Sequence, residues 1–136
     1  MTDQQKLQIS LALIRISTAV FFLVWSIEKI ISPEAAQRIF QKFYFLSISN
    51  SLAIGIGIIQ TLIIIIFLMG LFKTFSYGAM LGMHLISVLS TYKQLFNPYA
   101  PGNQLFWAAV PTLAAMIGLF LLRDEDRLFT LKYYLK

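Results

Sequence analysis

Three hydrogen-bonding side chains interrupt otherwise apolar runs: Arg15 in LIRIS, Gln60 in IIQT and His84 in GMHL. A guanidinium, an amide and an imidazole N–H are donors, so together they suit a ligand with acceptor oxygens. Trp25, Glu28 and Lys29 stand close together in WSIEK, where a long apolar run ends. The six residues Arg15, Trp25, Glu28, Lys29, Gln60 and His84 form the candidate ligand-binding set. No metal ligands are expected, because the chain has one histidine and no cysteine. The same count excludes a thiolate nucleophile, a CxxC redox pair and a disulfide framework. Glu28 could act as a general base, but no partner for it is visible, so a stand-alone enzyme is the least expected class.

Each candidate also has a plainer reading. Arg15 could snorkel to the near head groups along its aliphatic stem. His84 could be a neutral imidazole satisfied by a neighbouring hydroxyl or carbonyl. Gln60 could be interhelical glue. Trp25, with Trp107, could mark a membrane–water boundary. Glu28 and Lys29 are adjacent, so on a helix they do not face each other and each needs its own partner or water. Arg15, Phe22 and Lys29 recur every seven residues and share one stripe, which Ser26 joins.

The elements that must carry these residues follow from composition. Apolar residues make up 58% of the 136 and charged residues 12%, with a mean hydropathy of +0.74. A soluble domain carries about 25% charge, so the composition points to an all-α integral membrane protein. A helical span needs roughly 20 apolar residues, and only helices satisfy their own backbone groups in lipid. Four spans are expected, at approximately 7–29, 51–72, 74–95 and 104–122, in a single transmembrane domain over 1–136 that forms a four-helix bundle. Pro111 is expected to bend the fourth span.

Between the first two spans, SPEAAQRIFQKFYFLS has Ser32 as a candidate N-cap, Pro33 at N1 and Glu34 in the first turn. Ala36, Ile39, Phe40 and Phe43 share one face. The segment reads as a short amphipathic helix over approximately 33–46, lying in the interface plane or packed on the bundle, with a possible Glu34–Arg38 pair. NPYAPGN is a turn-rich loop. Residues 123–136 read as an amphipathic interfacial tail.

The net charge of +5 suits anionic lipid head groups rather than nucleic acid. Lys6, Lys73, Arg123, Arg127, Lys132 and Lys136 fall on the side of the two termini. Lys29, Arg38, Lys42 and Lys93 fall on the other, which favours cytoplasmic termini. GAMLG, with Gly78 and Gly82, and the pair Ala53 and Gly57 have the spacing that lets helix backbones approach.

LIRIS early in the first span, WSIEK at its end, the amphipathic segment and the closing LLRDEDRL resemble the DoxX-like and MauE-like small membrane proteins. The likeness covers nearly the whole chain, although members often carry Gly where this chain has Ser26. It implies a four-helix transmembrane bundle in a cell membrane of the bacterial inner-membrane type. It also implies an accessory subunit or assembly factor of a redox-associated complex, with other redox subunits as partners. The lack of cysteine argues against the family's thiol branch and leaves quinone as the implied ligand, held non-covalently between helices. The alternatives are a homo-oligomeric transporter or channel and a structural or chaperone-like interaction protein.

Overall fold

The structure is a computed structural model that describes residues 1–131. It is helical, with no strand among the described residues. Helix α1 spans Asp3–Ile31. Its start is fixed by a capping box: the Thr2 hydroxyl accepts from the Gln5 N–H, and the Gln5 side chain accepts from the Thr2 N–H. The box satisfies backbone donors that a helix start leaves free. Pro33 ends α1, because the residue before a proline avoids the helical region. Helix α2, Pro33–Ile39, follows at once and runs into a π turn at Phe40–Tyr44. Phe45 then stops it in the left-handed region at φ 56.

Helix α3 spans Asn50–Leu68, with the Ser49 hydroxyl accepting from Leu52 N–H. Gly70 at φ 68 and Phe72 at φ 46 turn the chain into α4, Lys73–Ser90. A short α5, Tyr92–Leu95, leads through a loop to a 3-10 segment, Asn103–Ala108. Helix α6 completes the set at Ala109–Leu121. Within the stretch Asn103–Leu121, Pro111 falls just after the change from 3-10 to α geometry. It lies in the first turn of α6 after the 3-10 segment, where a missing N–H costs least.

Three helical stretches are long and apolar enough to cross a membrane: Asp3–Ile31, Asn50–Leu68 and Asn103–Leu121. Four were expected, and α4 is the one that falls short. Its 18 residues include Lys73, Ser76, Tyr77, His84, Ser87 and Ser90, which dilute its apolar character.

Helix α1 packs most extensively on α3, α3 on α4, α4 on α6, and α6 back on α1. Helix α2 rests on α1 and α3, with Ala36 buried, so the amphipathic segment packs on the other helices. Among the described residues the expected pairing of Glu34 with Arg38 is not formed. The core gathers Leu11, Ala19, Ile64, Phe67, Tyr77, Met80, Met116 and Leu119.

The distribution of polarity is the reverse of a water-soluble domain. Arg15, Thr18, Ser26, Ser76, His84 and Asp126 are buried. Leu13, Val24, Ile59, Phe75, Ile86 and Leu121 are exposed. On α4, Ser76, Tyr77 and His84 turn inward while Phe75, Leu85, Ile86 and Leu89 turn outward.

Candidate functional site

The densest polar cluster lies where α1 and α4 meet residues 123–131, which fold back onto those helices. Arg15 and Asp126 have side chains with no accessible surface, and Arg15 Nη1 lies 2.5 Å from Asp126 Oδ1. The two charges neutralise each other across this contact, while Arg15 Nε has no hydrogen-bond partner among the described residues. The other guanidinium nitrogen, Nη2, donates to the carbonyls of Leu128 at 2.6 Å and Phe129 at 3.2 Å. Tyr77 Oη donates to the second carboxylate oxygen of Asp126 at 2.7 Å. Lys73 Nζ donates to the Asp126 main-chain carbonyl.

Gln8, two turns before Arg15 on α1, holds the same segment. Its amide oxygen accepts from the N–H groups of Arg127 at 2.9 Å and Leu128 at 3.0 Å, and its nitrogen donates to the Glu125 carbonyl. At the far end Leu131 N–H donates to the Met69 carbonyl at 2.9 Å. Buried Thr130 seats against Gly70, where an added Cβ would lie 2.5 Å from Thr130 Cγ2. The part of the tail within the described residues therefore folds back on α1, α4 and the turn before α4. Residues 132–136 of the expected amphipathic tail, with Lys132 and Lys136, lie outside the described residues.

The remaining candidates do not join this cluster. His84 is 4% exposed, and its Nε2 lies 2.9 Å from the Ala109 carbonyl oxygen. A carbonyl only accepts, so that nitrogen carries the proton. The imidazole also meets Phe22 edge-on, with ring centroids 5.7 Å apart. The plainer reading of His84, an imidazole satisfied by a carbonyl, describes what this contact does. Lys29 is half-buried against Gly57, and its Nζ donates to the Trp25 carbonyl at 3.1 Å. Ser26 joins the stripe as expected and accepts from Thr61 Oγ1 at 3.0 Å.

Gln60 follows Ala53 and Gly57 and precedes Ile64 and Phe67 on the buried face of α3. That spacing aims it inward, yet it is only half-buried and has no hydrogen-bond partner among the described residues. Glu28 is half-buried and forms no ion pair among the described residues. It lines a shallow apolar depression along α1 with Val20, Leu23, Val24, Trp25, Ile27 and Ile31.

Chemically, the arrangement divides in two. The cluster around Arg15 holds chain to chain. Away from that cluster, Gln60 on α3 and Lys29 on α1 carry donors that the described part of the tail does not use. No group of metal-ligating side chains occurs among the described residues. Tyr77→Phe removes the hydroxyl that caps Asp126 and leaves a buried carboxylate oxygen short of a donor. The expected loss is about 1–3 kcal/mol of stability, read as a lower melting temperature in detergent, and an unchanged melting temperature would mean that another donor reaches Asp126. Sequence reasoning missed Asp126, Gln8 and Tyr77. The one available signal was an arginine inside a span, which requires an acid or a set of carbonyls somewhere in the chain. In comparison with known proteins, no protein-family model, no curated protein and no solved structure matches this chain.

Proposed function

We propose that the chain is an integral membrane protein of four crossings, with α4 as the fourth, that acts by binding. In this reading it is an accessory subunit or assembly factor of a redox-associated membrane complex of the DoxX-like kind. The observation that carries the membrane reading is the polarity of α4, whose largest polar groups Tyr77 and His84 are buried with Ser76, and whose outward residues are the apolar Phe75, Leu85, Ile86 and Leu89 with only the small hydroxyls of Thr74 and Ser87 among them. A helix too polar on average to be recognised as a span is thereby compatible with lipid, because intramembrane polar groups face the bundle interior.

The binding role rests on the half-buried amide of Gln60. An inward-facing donor without a partner among the described residues suits an apolar ligand with a carbonyl acceptor, such as a quinone. Arg15 drops out of that ligand set, because Asp126, Leu128 and Phe129 engage it. His84 Nε2 is engaged by Ala109.

Mass spectrometry of the gently detergent-extracted protein tests this reading. Co-purified quinone or redox subunits, with quinone lost in Gln60→Leu at unchanged melting temperature, is the expected result. A chain that extracts without either sinks it. The orientation has its own test. Single cysteines at Asp3 and Asn97 give no background from native thiols, since the chain has none. Cytoplasmic termini predict that a membrane-impermeant maleimide labels Asn97→Cys but not Asp3→Cys in intact cells. The reverse pattern overturns the orientation.

A further inference from the structure

Glu28 stands among apolar side chains without a bonded counter-charge. It shares a depression of about 570 Å³ with Trp25 and with apolar residues between Val20 and Ile31, all of them on α1. Val20, Val24 and Ile27 recur at four and three residues, so they form one strip of the helix. Val20 is 54% and Val24 65% exposed, and no other described helix supplies a lining residue.

The neighbouring cations leave the carboxylate open. Lys29 turns toward α3, where its Cβ crowds the Gly57 position, and its Nζ donates to the Trp25 carbonyl at 3.1 Å. On α2, which packs against α1, Arg38 is exposed and pairs with no acid among the described residues. The last turn of α1 adds the partial negative charge of a helix C-terminus at the same level. Trp25, one turn before Glu28, is 44% exposed, and its indole N–H has no hydrogen-bond partner among the described residues. Trp107, by contrast, donates to the Leu95 carbonyl.

The order along α1 is therefore an apolar strip, then an indole donor, then a carboxylate. A matching occupant has an apolar chain for the strip, an acceptor oxygen for the indole N–H and a cation for Glu28, in that order. An ammonium also suits the face of an indole. A second copy of this chain fits less well. Two-fold packing on this strip within one membrane would bring Glu28 against its own symmetry mate.

We propose that this strip binds a phospholipid whose head group ends in an ammonium. The ammonium pairs with Glu28, a phosphate or ester oxygen accepts from Trp25, and one acyl chain lies along Val20, Val24 and Ile27. The selectivity runs against the net charge of +5, which attracts anionic lipid to the molecule in general. This inference rests on the membrane placement proposed above but not on the redox assignment or on Gln60.

The test uses the full chain in nanodiscs of equimolar phosphatidylethanolamine and phosphatidylglycerol. Native mass spectrometry counts the lipid that stays on the released protein. The expected result is one retained phosphatidylethanolamine, favoured about fivefold, the worth of one exposed ion pair. Glu28→Gln keeps its melting temperature and loses the preference, and Glu28→Lys turns it toward phosphatidylglycerol. Trp25→Leu lowers the retention of phosphatidylethanolamine. Equal retention of the two lipids by the unaltered chain, or a preference that survives Glu28→Gln, overturns the site. A lipid-free dimer that dissociates on Val24→Asp assigns the strip to a second copy and overturns it as well. A chain that does not enter nanodiscs overturns the membrane placement together with the site.

Discussion

Asp126→Ala lowers the stability of the protein by about 3–5 kcal/mol, the usual cost of removing one partner from a buried ion pair. Both side chains of the pair are fully inaccessible, so neither charge can recover water when its partner goes. Arg15 would keep the carbonyls of Leu128 and Phe129, which are dipoles and do not neutralise a full charge. The tail would lose its link to Tyr77 as well. Arg15→Ala has the mirror effect and leaves a carboxylate with only the Tyr77 hydroxyl and nearby Lys73. The double replacement Arg15→Met with Asp126→Leu removes both charges and fills similar volume, so it costs far less than the two single changes summed. Thermal denaturation of the four proteins in one detergent makes the comparison. A double variant as unstable as the sum of the singles would mean that packing, not charge pairing, holds the tail.

How far this network was legible in the sequence depends on the kind of information each part required. The helices follow from apolar runs and from Ser32–Pro33, whereas the π turn that ends α2 after Ile39 and the 3-10 segment that precedes α6 at Ala109 had no sequence signal. The signals for the helices are local: a capping residue, a proline and a periodicity of about 3.6. The polarity of α4 was visible too, but its meaning was not. Lys73, Ser76 and Tyr77 look like dilution of a span until the chain segment that they contact is known. That segment comes from RDEDRL, about fifty residues later, where Asp124, Glu125 and Asp126 are chemically alike. Asp126 is the buried one because an irregular turn after α6 points it inward, with Asp124 exposed and Glu125 paired to Arg127 at the surface. No pattern in the sequence encodes that turn. The stripe of Arg15, Phe22, Ser26 and Lys29 was legible for the same reason that α1 was. The identity of what each member touches was not.

Gly57→Ala destabilises the protein by about 1–3 kcal/mol, and Gly57→Val by more, while Gly55→Ala two residues earlier is neutral or mildly stabilising. The two glycines share a helix and look equivalent in LAIGIGIIQ, so the contrast isolates packing from backbone propensity. A Cβ on Gly57 would lie 2.9 Å from the Ser26 carbonyl, from Lys29 Cβ and from Ile30 Cγ1. The first of these is backbone and the second is fixed to it, so neither can swing away. Helices α1 and α3 would have to separate, and with them Thr61 Oγ1 from Ser26 Oγ, now 3.0 Å apart. A Cβ on Gly55 meets nothing within 4 Å, so alanine there adds only its better helix propensity, worth up to about 1 kcal/mol. Melting temperatures of both variants decide it. Equal losses at the two positions would show that α3 tolerates no change in this region whatever its neighbour. A loss at Gly57 alone identifies the α1–α3 crossing as the contact that fixes Lys29 and, one turn further along α3, the level at which Gln60 is presented.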